Sequence, residues 1–235
     1  MYRTVLAVLL LSAQWAWAAD DDYRVLSPTS PPPHPAVLLV PGCSGFASLN
    51  GVNIYEERAA ELRASGHVVV FVDYLGQFGN CGRMSHAQVG DAILQAAAWI
   101  RDQPDVDPGR IAVIGWSFGG GGVIAALRTM QAGAPRLARA VMYYPDCRGE
   151  TAWSDPSISA LMFLGSDDNV ARPALCEPVA QGVPPNSLTL MVYPNAYHAF
   201  DVRSLPQRAE YPFGTLGYNA GAAADSWAKV GDFLK

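Results

Sequence analysis

Ser117 lies in the run Arg110 to Leu127, RIAVIGWSFGGGGVIAAL. Four apolar residues, Ile111 to Ile114, lead into Gly115-Trp116-Ser117-Phe118-Gly119, and a Gly- and Ala-rich segment with helical spacing follows. The pattern predicts a buried strand, a sharp turn with the serine at its tip, and a helix. Glycine at 115 and 119 suits such a turn, because a Cβ at either place would collide where the strand and helix backbones approach. The turn strains Ser117 so that its Oγ leaves the strand end. It also aims the Phe118 N–H at the same space, at the positive end of the helix. This is the chemistry of a nucleophile, provided that a base takes the hydroxyl proton and a carboxylate orients the base. A chance G-x-S-x-G in a chain with 22 glycines is the competing reading, so partners elsewhere must decide.

Only four histidines are present, and position separates them. His34 sits in a proline-rich stretch and is expected to be solvated. His67 begins a strand, at the wrong edge of a sheet for catalysis. His86 is in a loop after a strand end, reachable but with nothing to fix its role. His198, in YPNAYHAFD, follows the last predicted strand by a few residues and is the expected base. For the acid, Leu164-Gly165-Ser166-Asp167-Asp168 follows the preceding strand; Asp168 is favoured over its neighbour Asp167, with Asp146 and Asp73 weaker candidates. The chain order Ser117, Asp168, His198 is that of a nucleophile elbow on a mostly parallel sheet.

Developing negative charge on an acyl carbon's oxygen needs two preorganised N–H donors. One is the backbone of Phe118. The other is expected from the loop Pro41-Gly42-Cys43-Ser44-Gly45, with the Cys43 N–H as donor, since glycines there let the backbone come close. The GGGG at 119–122 lacks the lysine and spacing of a phosphate loop and is read as close helix–sheet packing. No metal or cofactor motif competes, so no metal and no cofactor are expected.

The elements that must position these groups follow from the apolar runs. Ala36–Val40, His67–Asp73, Ile111–Ile114, Ala138–Tyr144, Ser159–Leu164 and Ser187–Tyr193 read as strands. Helices are expected at 54–63 (Ala60 and Leu62 inward), 88–101, after Ser117, around 174–180 and at 219–234 (Ala223, Trp227, Val230 and Leu234 on one face). Alternation of buried strands with helices predicts an α/β fold: a mostly parallel, doubly wound sheet covered on both faces. Ligands then bind at the carboxyl ends of the strands, where the three candidate residues fall. Only about 14 residues separate the strands ending near Tyr144 and starting at Ser159, too few for a cap domain. The pocket is therefore expected to be open, walled by 74–86 and 203–218, with Trp116, Tyr74, Tyr197 and Phe200 lining it beside Phe118.

The first residues read as a separate segment. Met1-Tyr2-Arg3, the apolar run Val5 to Ala13 and Ala16-Trp17-Ala18 fit a secretory signal peptide over 1–19, followed by a lead-in at 20–35 and a single domain over 36–235. Export to a periplasmic or extracellular space would let the four cysteines pair, and Cys43–Cys81 with Cys147–Cys176 is favoured because each pair joins loops on one rim. Free buried thiols are the alternative. The net charge of −5 and a pI near 5.3, with no basic run, argue against nucleic acid or an anionic membrane surface as partner, and no stretch reaches the length of a membrane span.

VLLVPGCSGF, FVDYLG, IAVIGWSFGGG, FLGSDD and VYPNAYHAFD, in that order, resemble the landmarks of the dienelactone hydrolase family within the α/β-hydrolase superfamily, over about residues 36–235. The resemblance implies Asp168 as the triad acid and the Cys43 N–H in the oxyanion hole. Three departures qualify it. Ser117 stands where the founding enzymes carry a cysteine, and Gly42 where they carry a glutamate. Their carboxylate-gripping arginines lack clear counterparts, although Arg203 lies nearby; Arg83 and His86 are further residues whose contact with substrate the sequence leaves open. The expectation is a serine carboxylester hydrolase acting on small esters or lactones, with a peptidase or thioesterase on the same triad, or a non-catalytic binding protein, as alternatives.

Overall fold

Apolar runs become strands in the computed structural model, which describes residues 23–78, 81–130 and 137–235. The segment 1–19 read as a signal peptide lies outside the described residues. The strands are β1 (Arg24–Leu26), β2 (His34–Val40), β3 (Val68–Phe71), β4 (Val106–Trp116), β5 (Arg139–Tyr143), β6 (Ser159–Gly165) and β7 (Leu188–Tyr193). They form one sheet in the order β1-β3-β2-β4-β5-β6-β7, with β1 antiparallel and the rest parallel.

The helices are α1 (Ile54–Ala64), α2 (Tyr74–Phe78), α3 (His86–Arg101), α4 (Phe118–Thr129), α5 (Glu177–Gly182) and α6 (Ala220–Phe233). Side chains alternate along the strands, so Ala36, Leu38 and Val40 join a core with α3 and α4, while Val37 and Leu39 join one with α1 and α6. The doubly wound α/β sheet is thereby covered on both faces. A small hairpin, β8 (Ala209–Tyr211) and β9 (Gly214–Leu216), stands apart from the sheet. The segment between β5 and β6 holds no inserted domain.

Local chemistry sets the helix starts. Asn53 accepts from the N–H groups of Tyr55 and Glu56 and so begins α1. Ser85 and Gln88 form a reciprocal capping box, which starts α3 at His86 rather than at 88. Within α1 it is Ala59, not Ala60, that joins the core, because the inward stripe is set by Ile54, Tyr55 and Leu62.

Two expectations about the first part of the chain are corrected. Arg24–Leu26, inside the stretch read as a lead-in, pairs with β3 as an edge strand. His34 is not solvated: it is buried as the first residue of β2, and its N–H donates to the Asp105 carbonyl at 2.8 Å. The register shift between His34 and Ala36 absorbs Pro35, which has no N–H to give a ladder. At the other edge β7 is only partly covered, since it has a single strand neighbour.

Contact distances explain the glycines around the serine. A Cβ on Gly115 would lie 2.7 Å from the Gly119 carbonyl oxygen, and one on Gly119 would lie 2.2 Å from the Pro41 carbonyl oxygen. The rest of the glycine run serves helices as much as the sheet. A Cβ on Gly122 would strike Val89 of α3 at 2.3 Å, and one on Gly121 would meet the Asp146 carbonyl and His86 Nε2. Close packing on α3, and not only on the sheet, therefore accounts for GGGG.

Two substitutions separate close approach from backbone freedom. Gly119→Ala is expected to lower the unfolding free energy by about 3 kcal/mol, through overpacking against backbone that cannot move aside. Gly231→Ala in α6, where a new Cβ meets nothing within 4 Å, is expected to raise it by about 0.5–1 kcal/mol. Urea denaturation of both variants measures this, and similar losses in the two would refute the packing account.

Candidate active site

The turn between β4 and α4 puts Ser117 at φ 53° and ψ −118°, a backbone conformation that costs about 1–3 kcal/mol for a residue with a side chain. Neighbouring groups hold it there. The Ser117 N–H donates to the Tyr143 carbonyl at 2.9 Å, and the Ser117 carbonyl accepts from Gly121 and Asp146 at 3.1 and 3.0 Å. Its Oγ lies 2.9 Å from His198 Nε2. The other ring nitrogen, Nδ1, lies 2.7 Å from Asp168 Oδ2. Asp168 Oδ1 in turn accepts from the N–H groups of Val170 and Ala171, both at 2.8 Å, so every face of this buried carboxylate is directed. Asp167 points elsewhere, accepting from the Ser166 hydroxyl at 2.6 Å. Asp73, exposed, accepts from the Gly76 N–H at 3.1 Å.

Ser117, Asp168 and His198, the expected nucleophile, acid and base, thus come from the carboxyl ends of β4, β6 and β7. Ala199, the residue after His198, also has a positive φ, 59°. Ser117, Ala199 and Tyr144 (φ 36°) place three strained backbones around one site.

Opposite His198 stands the loop after β2. Phe118 is the first residue of α4, where an N–H has no partner within the helix. A Cβ on Gly42 would lie 3.3 Å from Ser117 Cβ, so the segment from Gly42 to Cys43 passes directly beside the hydroxyl. Three groups fix that segment. The Gly42 N–H donates to Tyr55 Oη at 3.0 Å, and Tyr74 Oη donates to the carbonyls of Pro41 and Gly42 at 2.9 and 3.0 Å. The Cys43–Cys81 disulfide closes it from the other side. Cys147–Cys176 is the second disulfide, and among the described residues no free cysteine is found.

A cavity of about 770 Å³ opens at the hydroxyl. Trp116 lines it, together with Tyr55, Tyr144, Leu49, Val52, Val170, Tyr211, Phe213 and Leu216. Tyr74, Tyr197 and Phe200, expected in its wall, do not line it. Tyr74 stands behind the wall, committed to the Pro41 and Gly42 carbonyls. Phe200 is core, packed on Tyr144 at 5.3 Å, and Tyr197 supports the hairpin beneath Arg208. Adjacency to a motif puts a residue near a site without deciding where its side chain faces. Arg203 pairs with Glu57 on the surface, and neither it nor Arg83 or His86 reaches the cavity; the arginine that does is Arg148, held by Asp146 at 2.6 Å.

Sequence reasoning missed Asp201. Its buried carboxylate accepts from Trp116 Nε1 at 3.0 Å and from Tyr144 Oη at 2.6 Å, tying the residue before the nucleophile to the ring that packs on His198 at 4.6 Å. Burial, and then the Asp201 charge, hold the Tyr144 hydroxyl well above the usual phenol range, so it stays a donor. The signal was present in HAFD: an acid amid apolar residues must be matched by buried donors.

His86 belongs to a second buried acid–base group, behind Phe118. Its Nδ1 lies 3.0 Å from Glu150 and its Nε2 3.6 Å from Asp146, and its ring packs at a tilt against Phe118, 4.6 Å between centroids. Burial opposes its charge, but the two carboxylates outweigh burial and push it up to about 9. Among the described residues no cluster of three or more ligating side chains fit for a metal is found.

The parallel sheet, the strained serine after β4, and an acid and a base following β6 and β7 define an α/β-hydrolase fold. The chain belongs to the dienelactone hydrolase family, whose sequence profile matches residues 22–235. Its structure is similar to that of a dienelactone hydrolase-like promiscuous phosphotriesterase from metagenomic libraries, with a TM-score of 0.64 at 22% identity over 90% of this chain and 96% of that one. It is also similar to a thermophilic esterase of the Planctomycetes species Thermogutta terrifontis with propionate bound, with a TM-score of 0.63 at 15% identity over 90% and 88% of the two chains. In sequence, an uncharacterised protein of Mycobacterium tuberculosis is 39% identical over 85 residues, which is 36% of this chain and 28% of that protein's length.

The charge on His86 makes stability depend on pH. An unfolded imidazole titrates near about 6.5. The folded value is higher, so the stabilisation is complete below about pH 6.5 and is lost as the pH rises through about 9. His86→Gln is expected to lower Tm by about 3–6 °C at pH 6, with the gap to wild type narrowing by about pH 10. Thermal melts across pH measure this, and a gap independent of pH would refute the role of the charge.

Proposed function

We propose that this protein is an exported serine hydrolase that cleaves small carboxylic esters or lactones through an acyl-enzyme. The observation that carries the reading is the unbroken chain from Ser117 Oγ through both nitrogens of His198 to Asp168, at 2.9 and 2.7 Å. His198 takes the Ser117 proton as Oγ attacks the ester carbonyl. Asp168 holds the ring in the tautomer that leaves Nε2 free to accept and stabilises the imidazolium that results. The carbonyl oxygen becomes an oxyanion facing the N–H groups of Phe118 and Cys43.

Collapse of the tetrahedral adduct breaks the bond to the alkoxy oxygen, which leaves with the proton from His198. Water then repeats the sequence on the acyl-Ser117 ester: His198 takes its proton, the carboxylic acid departs, and the hydroxyl is restored. Two neighbours described as an esterase and a phosphotriesterase are in keeping with a nucleophile aimed at an electrophilic ester centre. Absence of an inserted domain suits small or exposed esters. The two disulfides suit export to an oxidising space. No helix among the described residues is long and apolar enough to cross a membrane.

Ser117→Ala is expected to lower kcat on short p-nitrophenyl esters by about 10⁵-fold or more, with the fold intact by circular dichroism. The wild-type protein is expected to be labelled at Ser117 by a fluorophosphonate, which an idle binding protein would resist. Retained hydrolysis in the alanine variant would refute the reading.

A further inference from the structure

Hydrolysis of a small ester gives no reason for Phe213. It is 62% exposed, the most exposed of the large apolar side chains among the described residues, and it sits at the turn of the β8–β9 hairpin. A lone exposed ring needs no explanation, but one that continues the apolar lining of a cavity extends the surface a ligand can cover. Phe213 lines the cavity, and so does Tyr211; their rings stack 5.5 Å apart at 19°, giving a flat apolar platform at the mouth.

The platform is fastened to the reacting groups. Asn169, next to Asp168, accepts from the Thr215 N–H at 2.8 Å and donates to the Thr215 hydroxyl at 3.1 Å. Gly214 packs so tightly on the same loop that a Cβ would lie 2.5 Å from Val170. Leu216 bridges to His198, whose carbonyl accepts from the Gly217 N–H at 3.1 Å. Both rings are therefore held in register with the imidazole and the acid loop.

The reaction geometry assigns the two sides of the cavity. The candidate oxyanion donors lie toward β2, and the imidazole lies toward β6 and β7. The alkoxy oxygen must meet His198 Nε2 to collect its proton. On that side the cavity is lined by Val170 and Ala171, whose N–H groups hold Asp168, by Leu216, bridged to His198, and by the stacked rings of the same hairpin.

We infer that Phe213, backed by Tyr211, forms the subsite for the alcohol portion of the substrate and selects esters of planar, apolar alcohols such as arylmethyl esters. The inference rests on the serine-hydrolase reading above and names its substrate class.

Two esters that share an acyl group test it: 2-naphthylmethyl acetate and methyl acetate, with wild type, Phe213→Leu and Phe213→Ala. Wild type is expected to favour the naphthylmethyl ester in kcat/KM. Phe213→Ala is expected to lose about tenfold on that ester, the worth of an aromatic contact and its burial, and less than about twofold on methyl acetate. Phe213→Leu should fall between, because it is apolar but not flat. The exposed position leaves the fold intact, which a melting curve checks. Equal losses on both esters, or a wild type indifferent between them, would overturn the subsite while leaving the hydrolase reading in place. Turnover of neither ester, with Ser117 unlabelled by the fluorophosphonate, would remove both.

Discussion

A serine with a left-handed backbone can persist only where its surroundings leave it no relaxed alternative, and here the approach of three backbones supplies that condition. β4 runs into α4 with glycines at 115 and 119, and the carbonyl end of β2 lies against the second of them. The Ser117 N–H is tied to β5, and its carbonyl to the segment after β5 and to Gly121 of α4, so the peptide planes on either side of Ser117 are fixed by different elements. Because β2, β4 and β5 are adjacent in the sheet, the loop beside the hydroxyl is delivered by the same contact that strains it. The hydroxyl and the backbone beside it are thus one mechanical unit.

Around that unit each buried carboxylate has a separate task, set by its donors. Asp168 is satisfied by two backbone N–H groups on one oxygen and His198 on the other, which fixes its direction toward the imidazole. Asp201 is satisfied by an indole and a phenol, which makes it a brace between the strand ending in Trp116 and the ring over His198. Asp146 faces Arg148 and His86, and burial alone would favour its neutral form; those two cations hold it well below the usual carboxylate range. Its N–H donates to the Ser117 carbonyl, so a charged cluster with no direct place in the hydroxyl chain still bears on the serine's backbone.

How much of this was legible in the sequence depended on whether a local rule settled it. The strand–serine–helix turn was readable because only glycine tolerates such an approach. The cysteine pairs were readable from the loops they join, since cross-links need only proximity at one rim. The parallel sheet followed from continuous apolar runs. The wall of the cavity was legible only in part: Trp116 and residues within 203–218 line it as expected, but Tyr74, Tyr197 and Phe200 adjoin the right motifs and face elsewhere, because orientation depends on tertiary contacts that periodicity does not encode. Three-residue strands such as β1, β8 and β9 carry too little pattern to separate from loops. His34 was hidden by its prolines, which suggested exposure where the chain makes a bulge. The partners of Asp201 lie 57 and 85 residues away, beyond any local signal.

The cross-link between Cys43 and Cys81 forms part of the cavity wall, with Cys43 exposed, whereas both sulfurs of the other bridge belong to buried residues. Thiolate attack needs access, so small thiols meet the first bond well before the second. Opening the exposed bridge would leave the backbone flanking the hydroxyl held by Tyr55 and Tyr74 alone, while the buried bridge keeps the segment after β5 fastened to the start of α5.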